Sequence, residues 1–301
     1  MSLPMTLMTV NGHPDDETVG TGGVMARYAA EGIRVVCVLA TRGEAGRIAV
    51  RELDTPENRA RLGEIRECEV RRALARLGVS EVEFLGYRDS GMMGTAANKD
   101  PRSLWQADRD DAIGRLVAIV RSVRPDVIVA PNAYGGDGHP DHIRASELAR
   151  GAFERAGDPS AYPDEGDGHG LEPWAPRKLY EVVDQLGRRA KIRRALATGG
   201  LRSLVSIALR VARHWTPNRE RKRARARAAQ GTVTTRVNVS AFSAARHAAM
   251  AEHRTQMTPG SERFVLTADE RKRVTPTEDF TLRSSRVEAV IPEDDLFAGL
   301  R

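Results

Sequence analysis

The 301-residue chain reads as a doubly wound, Rossmann-like α/β fold, with a mostly parallel sheet, a C-terminal α/β extension and a basic helical insertion. Three observations predict it. Apolar runs of strand length alternate with segments of helical period, the runs are near-continuous, and turn residues separate them. Continuous apolar strands belong to parallel sheets covered on both faces, because both sides of each strand are buried.

Taken in order, residues 5–11, "MTLMTVN", form the first strand, and Thr18 to Ala30 carry helical spacing. "IRVVCVLAT" is a second buried strand. The amphipathic run "EIRECEVRRALARLG" predicts a helix ending at Gly78, where glycine suits the C-terminal cap. "VEFLGY" supplies a third strand, "DAIGRLVAIVRSVR" a helix stopped by Pro125, and "DVIVAP" a fourth strand. Residues 157–176 are a loop by their Gly, Pro and Asp content. Beyond it lie strand "KLYEVV", the basic insertion, strand "TVTTRVNV" and helix "AARHAAMAEHRTQ". The chain thus divides into an α/β core, 1–157, and a C-terminal part, 158–301, packed on it and including the basic insertion 186–230.

Composition narrows the class. The length allows one large core or a domain with an appendage. With 41% hydrophobic and 5% aromatic residues, the chain is an ordinary globular one. It lacks both an apolar stretch of about 18 residues and a basic leader followed by an apolar run, so a cytoplasmic protein is expected. Cys37 and Cys68 are then two reduced core or half-buried thiols rather than a disulfide. The net charge of +6 is local in origin: fourteen Lys/Arg between Arg188 and Arg227 face one acid, Glu220. That segment carries +13, which leaves −7 on the rest.

In doubly wound folds ligands bind beyond the carboxyl ends of the strands. "NGHPDDE" (Asn11 to Glu17) follows the first strand and "YGGDGHPDH" (Tyr134 to His142) follows the fourth. A dinucleotide site does not fit: Gly20, Gly22 and Gly23 leave Met25 at the third glycine position, and the neighbouring acids would repel phosphate. A metal fits better. His13 with one of Asp15 or Asp16, joined by His139 and His142, offers imidazole and carboxylate with room for water, the pattern of a catalytic site. Like charges crowded in one turn also call for a counter-ion.

These paired motifs resemble the LmbE/PIG-L family of zinc-dependent N-deacetylases. "RDSGMMGT", "TTRVNVSAF", "HRTQ", "TPTEDF" and "EDDLFAGL" extend the likeness to the mycothiol-pathway members, both the N-acetylglucosaminyl-inositol deacetylase and the mycothiol S-conjugate amidase. The resemblance implies that His13, Asp16 and His142 hold Zn2+, with Fe2+ or another divalent metal accepted by the same donors. It implies that Asp15 is the general base and that His139 stabilises or protonates near the scissile amide. The substrate implied is a small amino sugar. Glu17 is expected to support the turn or favour a helix start. Asp89 and Arg66 are candidate substrate contacts, against an Asx turn for Asp89 and an i,i+3 pair with Glu69 for Arg66. One position departs from the mycothiol-pathway pattern: Asp137 stands where a tyrosine is expected to help the oxyanion. An ionised carboxylate cannot donate there, so Asp137 is expected to face solvent or a cationic substrate group.

The basic insertion carries an apolar stripe, Leu201, Leu204, Val205, Ala208, Leu209 and Ala212, expected to pack as a helix over the site. Its alternative is peripheral contact with an anionic membrane through "RERKRARAR". Nucleic acid is not expected, since Trp215 is the sole aromatic nearby. The competing class is a non-catalytic α/β domain that binds anionic surfaces or nucleic acid through residues 188–227.

Overall fold

The computed structural model describes residues 5–163, 171–183, 231–258, 264 and 266–301. β1 (Thr6–Asn11) leads through α1 (Asp16–Gly20) and α2 (Gly22–Ala30) to β2 (Arg34–Thr41), then through α3 (Pro56–Ala60) and α4 (Leu62–Arg76) to β3 (Glu81–Tyr87). The chain crosses back through α5 (Arg109–Val123) to β4 (Val127–Ala130), the glycine-rich α6 (Gly135–Gly138), α7 (Pro140–Arg155) and β5 (Lys178–Val182). β6 (Thr235–Asn238), α8 (Ser243–Glu252), α9 (Ala268–Val274) and β7 (Thr277–Ser285) follow.

Seven strands form one sheet in the order β3-β2-β1-β4-β5-β7-β6. The first five are parallel, and β7 runs antiparallel to both β5 and β6. Side chains of one strand feed two cores in alternation. On β2, Val35, Cys37 and Leu39 join the core under α2, α4 and α8, whereas Val36, Val38 and Ala40 join the core under α5 and α7. Both faces are covered, so the strand is apolar throughout.

The expected helix Thr18–Ala30 is two helices, α1 and α2, broken at Thr21. Glycines on both sides of Thr21 weaken the helix there. The buried Glu278 carboxylate accepts the N–H groups of Gly23 and Val24, at 3.0 and 2.9 Å, and so starts α2 afresh. β7 was not legible as a strand: only Glu278 and Phe280 of its nine residues are buried. Cys37 is buried and Cys68, on the solvent side of α4, is exposed, a correction to the half-buried expectation; both are free thiols. The basic insertion, with Leu201 to Ala212 and Arg219 to Arg227, lies outside the described residues.

The sheet builds outward from β1 to β3 and then returns to β4 on the other side of β1. That reversal places a crevice between the ends of β1 and β4, where doubly wound folds bind ligands. Both histidine turns open there.

Candidate metal centre and active site

The first turn is tied on itself. His13 N–H donates to Asp16 Oδ2 at 2.9 Å, and Asp16 N–H donates to the His13 carbonyl at 3.3 Å. Asp15, between them, has φ 114°, a left-handed value. Backbone of this kind costs a non-glycine residue of order 1–3 kcal/mol and persists where surroundings over-determine it. Its effect is to separate two consecutive carboxylates: Asp16 turns toward the histidines, while Asp15 Oδ1 lies 3.5 Å from Arg66 Nη2.

The second turn is a helix start. Pro140 occupies the first turn of α7, where its missing N–H costs nothing. His139 is the N-cap, its Nδ1 accepting from Asp141 N–H at 3.2 Å. An accepting Nδ1 leaves the proton of a neutral ring on Nε2. His142 donates from Nδ1 to the Gly135 carbonyl at 3.0 Å, which turns Nε2 toward the first turn.

Two glycines make this closeness feasible. A Cβ on Gly12 would lie 2.5 Å from His142 Cδ2, and one on Gly135 would lie 2.6 Å from His142 Cβ.

His13 Nδ1, Asp16 Oδ2 and His142 Nε2 form a triangle with edges of 3.5, 3.0 and 3.1 Å. A tetrahedral ion with bonds of 2.0–2.1 Å needs donor separations of about 3.3 Å. The tautomers agree with such an ion. His13 Nε2 bonds Asp141 Oδ2 at 3.0 Å and His142 Nδ1 bonds Gly135, so in the neutral rings both facing nitrogens carry lone pairs. Two lone pairs and a carboxylate converging on one point fit a bound cation.

Two wider groupings overlap this one, His13 with His139 and His142, and His13 with Asp89, His139 and Asp141, each with donor atoms within 4.8 Å of one another. They fit less well, because His139 Nδ1 caps α7 and the two carboxylates are already engaged. Asp141 accepts from Ser90 N–H at 2.9 Å and from the Ser90 hydroxyl. Asp141 stands instead behind His13, where a carboxylate would orient an imidazole that held a metal.

Without metal, the acids gather protons onto the imidazoles. Burial opposes the charge on His142, but the Asp16 carboxylate outweighs it and pushes the ring up to about 9. His13, likewise buried, is raised well above its ordinary value by Asp89, Asp141 and Asp16. His139 is lowered to about 4, by burial first and then by the charges of His13 and His142. It is therefore a neutral Nε2–H donor near neutral pH.

The remaining expected residues sit close by. Asp89 is buried in an Asx turn, with Oδ1 accepting Gly91 N–H at 2.7 Å and Oδ2 accepting Ala45 N–H at 3.1 Å. The same Oδ1 is 3.5 Å from His13 Nε2 and 4.0 Å from His139 Nε2, so Asp89 backs the histidines. Arg66 is not paired with Glu69. It is buried, donates to the Gly43 carbonyl at 2.9 Å and to the Pro14 carbonyl, and so clasps the first turn. Asp137 is 67% exposed in its side chain and accepts His139 N–H at 3.2 Å, with its carboxylate kept outside the triangle. Sequence reasoning passed over Asp141, Ser90, Gly12 and His253. Asp141 had a signal, standing beside His142 in "HPDH", and Gly12 and Ser90 lie next to His13 and Asp89; His253 is brought in by tertiary contacts alone.

Fold and site define a class: an α/β protein whose described strands form one sheet, with two imidazoles and a carboxylate gathered at its switch point. The chain belongs to the PIG-L family, whose profile, described as GlcNAc-PI de-N-acetylase, matches residues 8–153. It is 39% identical over 303 residues to the 1D-myo-inositol 2-acetamido-2-deoxy-alpha-D-glucopyranoside deacetylase of Nocardiopsis dassonvillei, covering 97% of this chain and 100% of that one. Among solved structures, a conserved protein of Thermus thermophilus superposes with TM-score 0.59 at 25% identity, over 95% of this chain and 98% of that one. The N,N'-diacetylchitobiose deacetylase of Pyrococcus horikoshii shares the fold, with TM-score 0.60 at 19% identity over 92% and 83% of the two chains.

Proposed function

We propose that this chain is a metal-dependent N-deacetylase that removes acetate from an N-acetylglucosaminyl-inositol. The observation that carries the reading is the triangle of His13, Asp16 and His142, with Asp15 next in the chain to one of its corners. Full-length similarity to a relative named for that deacetylation supports the substrate. Zinc is the metal favoured by two imidazoles and a carboxylate. When bound, a divalent ion supplies Lewis acidity, acidifying water and polarising a carbonyl.

The chain's own residues divide the proton work. Asp15 takes a proton from water as its oxygen adds to the acetyl carbonyl. His139, neutral and protonated on Nε2, donates to the carbonyl oxygen as negative charge develops there. As the C–N bond breaks, the proton held by Asp15 passes to the departing amine, leaving acetate and a free glucosamine. The Asp141 carboxylate, the Asp141 N–H and the Gly135 carbonyl hold His13, His139 and His142, in that order, in the tautomers this requires.

The test is acetate release from N-acetylglucosaminyl-inositol by protein stripped with a chelator and then reloaded with zinc. Activity restored by one equivalent supports the reading. A loaded protein that releases no acetate from this substrate or from other N-acetylglucosamine conjugates would sink it.

A further inference from the structure

Asp15 is held in a conformation an aspartate seldom adopts, and part of what holds it lies in neither histidine turn. Its N–H donates to Glu17 Oε2 at 2.8 Å. The other oxygen of that carboxylate, Oε1, is 2.7 Å from His253 Nε2. A carboxylate accepts only, so His253 supplies the proton of that bond. Both side chains are fully buried. His253 caps the C-terminal end of α8, and the chain after it is pinned to α4: Thr255 N–H and its hydroxyl both donate to Glu69, each at 2.7 Å.

Fold stability alone does not call for this arrangement. A buried carboxylate needs a partner, and His253 provides one; nothing in that need directs its second oxygen at the amide of a residue with φ 114°. An acceptor fixed at that amide over-determines the left-handed backbone. The backbone in turn fixes where the Asp15 side chain leaves the turn. A base displaced by about 1 Å loses about 10²-fold in rate.

We propose that Glu17 and His253 form a positioning pair for Asp15: His253 aims Glu17, and Glu17 holds the Asp15 amide so that its carboxylate faces the reacting water. The proposal rests on the reading of Asp15 as general base. The Glu17 carboxylate bonds the Asp15 amide and His253 rather than a donor atom of the triangle, so the pair acts on turnover rather than on metal or substrate affinity.

The experiment compares His253→Phe, which removes the donor, with His253→Gln, which can still donate to Glu17, using zinc-loaded enzyme and N-acetylglucosaminyl-inositol. His253→Phe should lower kcat by about 10–100-fold, with KM and the zinc content per chain unchanged. His253→Gln should recover most of the loss. In a crystal structure of His253→Phe, the Asp15 carboxylate should be displaced while His13, Asp16 and His142 keep their places. In an Asp15→Asn background the His253→Phe loss should largely vanish, because the group it positions is gone. An undiminished kcat in His253→Phe, an equal loss in both backgrounds, or an Asp15 carboxylate that keeps its place would overturn the pair while leaving the base assignment standing. Near-wild-type turnover in Asp15→Asn alone would overturn the base assignment and the pair with it. If His253→Phe does not fold, His253→Asn, too short to reach Glu17, replaces it with the same expectations.

Discussion

Replacing Gly12 by alanine adds one carbon to the floor of the donor triangle and changes no ligand. The new Cβ would stand 2.5 Å from His142 Cδ2, and 3.3 Å from both His142 Nε2 and Asp16 Oδ2. Non-bonded carbons settle at about 3.5–4.0 Å, so the ring must retreat by about 1 Å. His142 has little freedom to do so, with Nδ1 bound to the Gly135 carbonyl at 3.0 Å. Retreat carries Nε2 out of its 3.0 and 3.1 Å separations from Asp16 and His13. Removing a group that merely orients a ligand costs about 10–100-fold in metal affinity. Displacing the ligand itself should cost at least about 100-fold, or ~2.8 kcal/mol. Overpacking should cost the metal-free fold about 1–3 kcal/mol, a fall in Tm of roughly 2–5 °C. Competition titration against a fluorescent chelator, with melting of the metal-free protein alongside, separates the two effects. A zinc Kd within threefold of wild type would refute the argument that His142 ligates from this position.

Asp15→Asn should keep one metal per chain and lose about 10²–10⁴-fold in turnover; loss of the metal would show that Asp15, not its neighbour, is a ligand. Asp137→Asn should change kcat/KM less than tenfold, under about 1.4 kcal/mol, because its carboxylate is largely in solvent; a hundredfold fall would place it in the chemistry. His253 gives a pH dependence of stability. Burial opposes its charge, but Glu17 outweighs burial, aided by Asp15 and against Arg66, so the folded value is raised above the ordinary 6.5. The raised value means that its contribution is full below pH 6.5 and is lost as pH climbs through the folded value. Urea melts at pH 6 and pH 9 should therefore show a smaller gap between wild type and His253→Gln at the higher pH, and a gap that widens would contradict the pairing.

What was legible in the sequence follows from how local each cause is. "HPDDE" and "HPDH" each carry imidazole and carboxylate on a short turn after an apolar strand, so the donors and their meeting place could be read directly. The roles of Asp15 and Asp16 could not be separated by residue type, and the resemblance had to supply them; in the fold they part because Asp15 alone takes φ 114°. Arg66 and Glu69 look like partners three residues apart on a helix, yet each is claimed by a distant backbone, Arg66 by Pro14 and Gly43, and Glu69 by Thr255. His253 lies 236 residues from Glu17, and no spacing rule reaches that far. Gly12 could be seen as a turn residue, whereas its need to admit His142 exists only in three dimensions. β7 escaped because an antiparallel strand with one partly exposed face lacks the continuous apolar run that marked β1, β2 and β4.

The position of β7 has a consequence for the order in which competence is acquired. Among the described strands β6 pairs with β7 alone, and β6 leads through a short turn into α8 and His253. On a growing chain, β1 to β5 and both histidine turns are complete once Val182 has emerged, and their parallel pairings need nothing later. β6 and α8 must wait for Thr277–Ser285 to close a pairing of long sequence separation, the slow kind of contact. On the reading proposed above, a nascent chain would bring His13, Asp16 and His142 together before His253 arrives to aim Asp15.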